Sequence, residues 1–111
     1  TAYSLSKLCN IIFTYELATR LEGTSTTVNC LHPGVIKTKL LRVGWGMGGG
    51  SLSSGSKTSV YLASSPEVEK VTGRYYANSR PAISAKVSHD PVFQNKLWQM
   101  SERFIAPLLH K

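Results

Sequence analysis

The sequence predicts an α/β fold, and three observations carry that prediction. An amphipathic helical pattern runs over residues 2–21. A short connection containing Gly23 follows, then a β-branched and apolar run over residues 26–31. His32-Pro33-Gly34 stops that run, because proline cannot donate to a sheet ladder and glycine permits a sharp turn. Helix, connection and strand in that order make one unit of a sheet covered by helices. With 111 residues the chain holds at most one small domain.

Each element has its own warrant. In the first helix Leu5, Leu8, Ile12, Tyr15 and Leu21 form an apolar stripe that Ile11, Leu17 and Ala18 widen, and Gly23 suits the C-terminal turn. Residues 44–56 are almost entirely Gly and Ser, with Trp45 and Met47 as large apolar exceptions. Such a composition reads as a mobile loop. A helix resumes over residues 57–63, and Ser65-Pro66 resembles an N-cap followed by proline at the first helical position. Thr72-Gly73 turns the chain into a short strand over residues 74–77. Asp90-Pro91 opens a last helix, in which Phe93, Leu97, Met100 and Phe104 recur at helical spacing as a core face, and Pro107 ends it.

Composition narrows the function. A hydrophobic fraction of 41% and a charged fraction of 17% are those of a globular protein. The net charge is +7, but the thirteen basic residues are spread from Lys7 to Lys111 with no run of three, which argues against nucleic acid as a partner. Cys9 and Cys30 form no C-x-x-C pair, no metal-spaced cluster is present, and buried reduced thiols are the plain reading. A catalytic Cys30–His32 pair is the weak alternative. No apolar run approaches the roughly 20 residues of a membrane span, and no leader pattern is visible. The start at Thr1, without an initiator Met and directly before helix, suggests a piece of a longer polypeptide.

The residues that carry chemistry are Tyr3 and Lys7 in Tyr-Ser-Leu-Ser-Lys. At i and i+4 their side chains share a helix face. A tyrosine hydroxyl alone is a poor base at neutral pH, and a nearby ammonium favours its phenolate. A phenol so tuned can give a proton to a carbonyl oxygen or take one from an alcohol. By itself the pair is common in helices; its surroundings make it specific.

Tyr3-Ser4-Leu5-Ser6-Lys7, followed by Val28-Asn29-Cys30-Leu31-His32-Pro33-Gly34-Val35-Ile36-Lys37-Thr38, resembles the short-chain dehydrogenase/reductase family, with its Tyr-x-x-x-Lys motif, its Pro-Gly turn and a Thr a few residues on. Tyr61-Leu62-Ala63-Ser64-Ser65-Pro66, Thr72-Gly73-Arg74-Tyr75-Tyr76 and Leu97-Trp98-Gln99-Met100-Ser101-Glu102 look like its retinol-dehydrogenase-like branch. The resemblance covers nearly the whole chain. It implies the C-terminal portion of a Rossmann-type, doubly wound parallel-sheet domain over residues 1–111, with a mobile substrate lid over residues 43–56 and the N-terminal dinucleotide-binding half absent.

The roles follow position by position. Tyr3 would be the general acid/base. Lys7 would lower the tyrosine's pKa and hydrogen-bond the nicotinamide ribose. Pro33 and Gly34 would line the nicotinamide pocket, the backbone of Ile36 would contact the carboxamide, and Thr38 would hold the carboxamide or a phosphate. Trp45 and Met47 would touch an apolar carbonyl or alcohol substrate. The cofactor implied is NADP(H) ahead of NAD(H), although the residues that read the ribose 2′ position would lie upstream of Thr1. So would the catalytic Ser and the Asn of the proton relay, and any targeting or anchor segment. The resemblance further allows a homo-oligomer pairing through the motif helix; the reduced thiols point to a cytoplasmic protein, and the lack of a metal-spaced cluster to no metal. The chain alone would then be inactive; a non-catalytic binding or structural fragment is the alternative.

Gly44-Trp45-Gly46-Met47-Gly48-Gly49 matches G-x-G-x-x-G, but no clear strand precedes it and the Gly/Ser stretch runs on, so a loop is the better reading than a phosphate cradle. His32 reads as a packed loop residue, with contact to the cofactor pocket as the alternative, His89 and His110 read as solvated, and Trp98 as core.

Overall fold

The computed structural model describes residues 1–34 and 52–109. Helix α1 spans Ala2–Arg20, and Thr1 caps it by accepting the Ser4 backbone N–H on its hydroxyl at 3.3 Å. Gly23, at φ +86, carries the chain away past the last turn. The expected stripe is buried only along the middle of the helix. Ile12 is 1% exposed and Tyr15 and Ala18 are buried, whereas Leu5 is exposed. Thr14 and Glu16 are buried as well. They are satisfied locally: the Thr14 hydroxyl donates to the Asn10 carbonyl at 2.9 Å, and a Glu16 carboxylate oxygen lies 3.7 Å from Arg20 Nε. Burial reaches these polar positions because α1 packs against the first strand, the last helix and the turn that precedes that helix.

The sheet has three short strands in the order β1 (Cys30–His32), β2 (Tyr75–Ala77) and β3 (Arg80–Pro81). β1 and β2 are parallel, with Cys30 opposite Tyr75 and His32 opposite Ala77. The crossover between them contains helix α2 (Leu52–Ser64), as a parallel pair requires. The first strand is shorter than residues 26–31. Just upstream the chains are tied by mixed bonds instead of a ladder: the Val28 N–H donates to the Thr72 hydroxyl at 2.9 Å, the Gly73 N–H to the Val28 carbonyl at 2.7 Å, and Asn29 Nδ2 to the Val71 carbonyl at 2.8 Å.

Other elements also depart from expectation. Helix α2 begins at Leu52, so residues 52–56 of the expected loop are helical. Intrinsic propensity is a weak prior that tertiary context overrides, and Gly55 is buried in the helix. Ser65-Pro66 opens only a three-residue 3-10 turn, Pro66–Val68, with the Ser65 hydroxyl accepting the Glu67 N–H at 3.3 Å. β3 was not expected. It pairs antiparallel with β2 through a two-residue loop in which Asn78 (φ 53) and Ser79 (φ 60) are both left-handed, the geometry that suits a tight hairpin. The Ser79 N–H is held by the buried Thr58 hydroxyl of α2 at 3.0 Å, which fastens a strained position.

Helix α3 spans Pro91–Leu109 and is capped by Asp90, whose carboxylate accepts the Val92 N–H at 3.0 Å. It runs through Pro107 rather than ending there, because so near the C-terminus the missing N–H weakens only the last turn. Its expected core face is not a core: Phe93, Met100 and Phe104 are exposed, Leu97 is half-buried, and no residue of α3 is fully buried. Contact with α1 is made by a different face. Trp98 stacks on Phe13 with ring centroids 5.4 Å apart, lies under the Arg20 guanidinium at 4.4 Å, and donates its indole N–H to Glu102 at 2.8 Å. Trp98 is thus a half-buried interhelix residue.

A polar cluster seats this assembly. Ser84 Oγ lies 2.7 Å from the Tyr15 hydroxyl, 2.7 Å from Ser88 Oγ and 3.1 Å from His89 Nε2. Ser88 is fully buried and its hydroxyl donates to the Ala85 carbonyl. The His89 ring stacks on Tyr15 at 5.1 Å, so this histidine is engaged rather than merely solvated. Among the described residues no buried side-chain polar atom lacks a partner.

Candidate active site

Tyr3 lies in the first turn of α1 and Lys7 one turn later. The capping hydroxyl of Thr1 starts the helix two residues before Tyr3, and the Ser6 hydroxyl donates back to the Tyr3 carbonyl at 2.7 Å. The helix brings the two candidate groups together as their spacing requires: Lys7 Nζ stands over the Tyr3 ring, 5.4 Å from its centroid. Both side chains are solvent-facing, Tyr3 being 65% exposed. The pair is therefore open to a ligand.

Pro33 and Gly34 follow β1 directly, at the C-terminal end of the parallel strands. In open α/β sheets ligands bind outside that end. Gly34 has φ +83, and a side chain built on it would meet nothing within 4 Å. Its glycine is thus favoured by backbone conformation, and the 4 Å gap holds among the described residues.

Ile36, Thr38, Trp45 and Met47 lie outside the described residues, as do the G-x-G-x-x-G match at Gly44–Gly49 and His110. Only residues 52–56 of the expected lid are described.

Cys30 does not form a thiolate pair with His32. Burial pushes its thiol above the usual range, only partly opposed by a hydrogen bond with Thr14, and its Sγ lies 3.9 Å from the Arg74 carbonyl. His32 instead accepts the Gly34 backbone N–H on Nδ1 at 2.8 Å. The packed loop residue expected at this position is instead an exposed side chain hydrogen-bonded to the turn. A His two residues before a Gly, with a donor-less Pro between them, was the available signal. No group of His, Cys, Asp and Glu that could hold a metal ion occurs among the described residues. None of their helices is long and apolar enough to cross a membrane.

No protein-family model matches the chain. Individual relatives do. Human retinol dehydrogenase 14 is 43% identical over 120 residues, covering 96% of this chain and 35% of the relative. Human retinol dehydrogenase 13 is 34% identical, covering 95% of this chain and 36% of the relative. The short-chain dehydrogenase TIC 32 A, chloroplastic, of Brassica napus is 32% identical, with 96% and 37% covered. The chain thus spans about a third of the length of the curated relatives it matches. Near-complete similarity along its own length, joined to the Tyr3–Lys7 pair and the Pro33-Gly34 turn, means that the chain belongs to the short-chain dehydrogenase/reductase family, with retinol dehydrogenases among its relatives.

Proposed function

We propose that this chain supplies the proton-transfer half of the active site of an oxidoreductase that interconverts a carbonyl and an alcohol with a nicotinamide cofactor, NADP(H) ahead of NAD(H). The observation that carries the reading is the placement of Tyr3 and Lys7 on one exposed face at the start of α1, with Lys7 Nζ over the Tyr3 ring. The relatives named as retinol dehydrogenases support an apolar carbonyl or alcohol as the substrate class.

The residues at the end of β1 suit the nicotinamide side of the cofactor. Pro33 and the left-handed Gly34 would line the pocket, and Ile36 and Thr38 would contact the carboxamide. When bound, the nicotinamide supplies or accepts the hydride. The chain's own work is acid–base chemistry. The Tyr3 hydroxyl gives a proton to the carbonyl oxygen in reduction and takes one from the alcohol in oxidation. Lys7, whose Nζ stands over the Tyr3 ring, would hold the nicotinamide ribose beside the tyrosine hydroxyl. Trp45 and Met47 would meet the apolar part of the substrate.

Full-length protein incubated with NADPH and an apolar aldehyde should consume the cofactor in proportion to the aldehyde reduced. No turnover with either NADPH or NADH across a panel of apolar aldehydes and alcohols would favour a binding or structural role instead.

A further inference from the structure

We infer that His32 is a positioning residue for the nicotinamide-side turn, holding Gly34 through a side-chain acceptor that the backbone of the turn cannot supply; the inference rests on the function proposed above. Pro33 has no N–H, so the first backbone donor after His32 is that of Gly34. That donor falls where β1 ends at His32, and it is taken by His32 Nδ1 at 2.8 Å. Gly34 needs such a restraint more than most residues would. It sits at φ +83, and none of the described residues lies within 4 Å of where a Cβ would stand. Glycine also has the most conformational freedom to lose. Two local features then define the turn: the fixed φ of Pro33 and the His32 acceptor. Because Nδ1 accepts, the neutral ring carries its proton on Nε2. The geometry is that of an Asx-type turn, in which a side-chain acceptor bonds the backbone two residues on, with imidazole in place of the shorter Asn or Asp.

A turn ordered in advance lowers what a ligand must spend in ordering it, equally for the bound ground state and the transition state. Loss of the bond should therefore raise the cofactor KM and leave kcat unchanged. The test uses the full-length protein, with His32→Leu to remove the acceptor, His32→Asn to restore one at the same sequence offset, and Tyr3→Phe as a reference. Two quantities are read: exchange of the Gly34 amide hydrogen without ligand, and the NADPH KM and kcat. His32→Leu should speed Gly34 exchange and raise the KM by about 2- to 12-fold, the effect of one ordinary hydrogen bond, with kcat unchanged. His32→Asn should return both towards wild type. Unchanged exchange or KM in His32→Leu overturns the inference. So does a His32→Asn protein that behaves like His32→Leu, or a loss that appears only in kcat together with a lowered melting temperature. If Tyr3→Phe abolishes turnover while His32→Leu changes nothing, the proposed function stands and this inference alone falls. If Tyr3→Phe turns over normally, the proposed function falls, and Gly34 exchange still decides whether His32 holds the turn.

Discussion

Replacing Ser84 with Ala should destabilise the protein more than replacing Tyr15 with Phe, although both changes break the same 2.7 Å hydrogen bond. The reason is the count of protons in the cluster. Ser88 spends its hydroxyl proton on the Ala85 carbonyl, so Ser84 must donate to Ser88. Ser84 has then no proton left, and the Tyr15 hydroxyl and His89 Nε2–H must both donate to it. Tyr15→Phe removes one of two donors to Ser84 and leaves every remaining group paired. It should cost about 1 kcal/mol, the net worth of a neutral hydrogen bond. Ser84→Ala leaves the hydroxyl of the buried Tyr15 without its acceptor, an omission worth about 1–3 kcal/mol by itself, on top of the bonds lost to Ser88 and His89. A total of roughly 2–4 kcal/mol follows on the same scale. In the double variant the buried Tyr15 hydroxyl that Ser84→Ala alone would orphan is gone, so its cost should fall below the sum of the two single costs by about 0.5–1.5 kcal/mol. Urea unfolding of the four proteins measures all three quantities. Equal single costs, or strict additivity, would refute the assigned proton directions.

Three further outcomes are expected. Thr58→Val should lower stability by about 1–2 kcal/mol, since it takes the acceptor from the left-handed Ser79 while keeping the side-chain shape, and thermal melting of that variant beside Thr58→Ser checks it. Burial raises the Cys30 thiol, so the folded state favours the protonated form: this contribution to stability is full below the unfolded thiol's pKa and is lost as pH rises through the higher folded value. Alkylation of Cys30 by iodoacetamide at mildly alkaline pH should accordingly be slower in the folded protein than in urea, and equal rates would contradict the burial. The 111-residue chain by itself should show no micromolar affinity for NADPH in calorimetry, because dinucleotide affinity comes largely from a pyrophosphate-binding turn that the resemblance places outside it; tight binding would redirect attention to Gly44–Gly49.

Helix α1 was legible because its apolar stripe is long and uninterrupted, and Ile12, Tyr15 and Ala18 do point into the core. The Asp90-Pro91 start of α3 was legible for a similar reason, since cap chemistry is local. The covered face of α3 was not. Periodicity identifies an apolar stripe, but what lies against it is a property of the tertiary arrangement, and here Trp98 rather than Phe104 meets α1. The β2–β3 hairpin escaped because Asn78-Ser79 is a weak turn signal, and the Thr58 bond from α2 that holds it is a tertiary contact. At the site, the Tyr3–Lys7 spacing was readable from helix geometry alone, whereas the His32–Gly34 bond depends on a side-chain rotamer that spacing does not determine.

The most direct test of the central claim is steady-state kinetics of Tyr3→Phe in the full-length protein. The substitution keeps the ring beneath Lys7 and removes only the hydroxyl. A positioned acid or base contributes roughly 10²–10⁴ in rate, so kcat should fall by about that factor while the cofactor KM stays near its wild-type value. Turnover within a few-fold of wild type would contradict the claim that Tyr3 carries the proton.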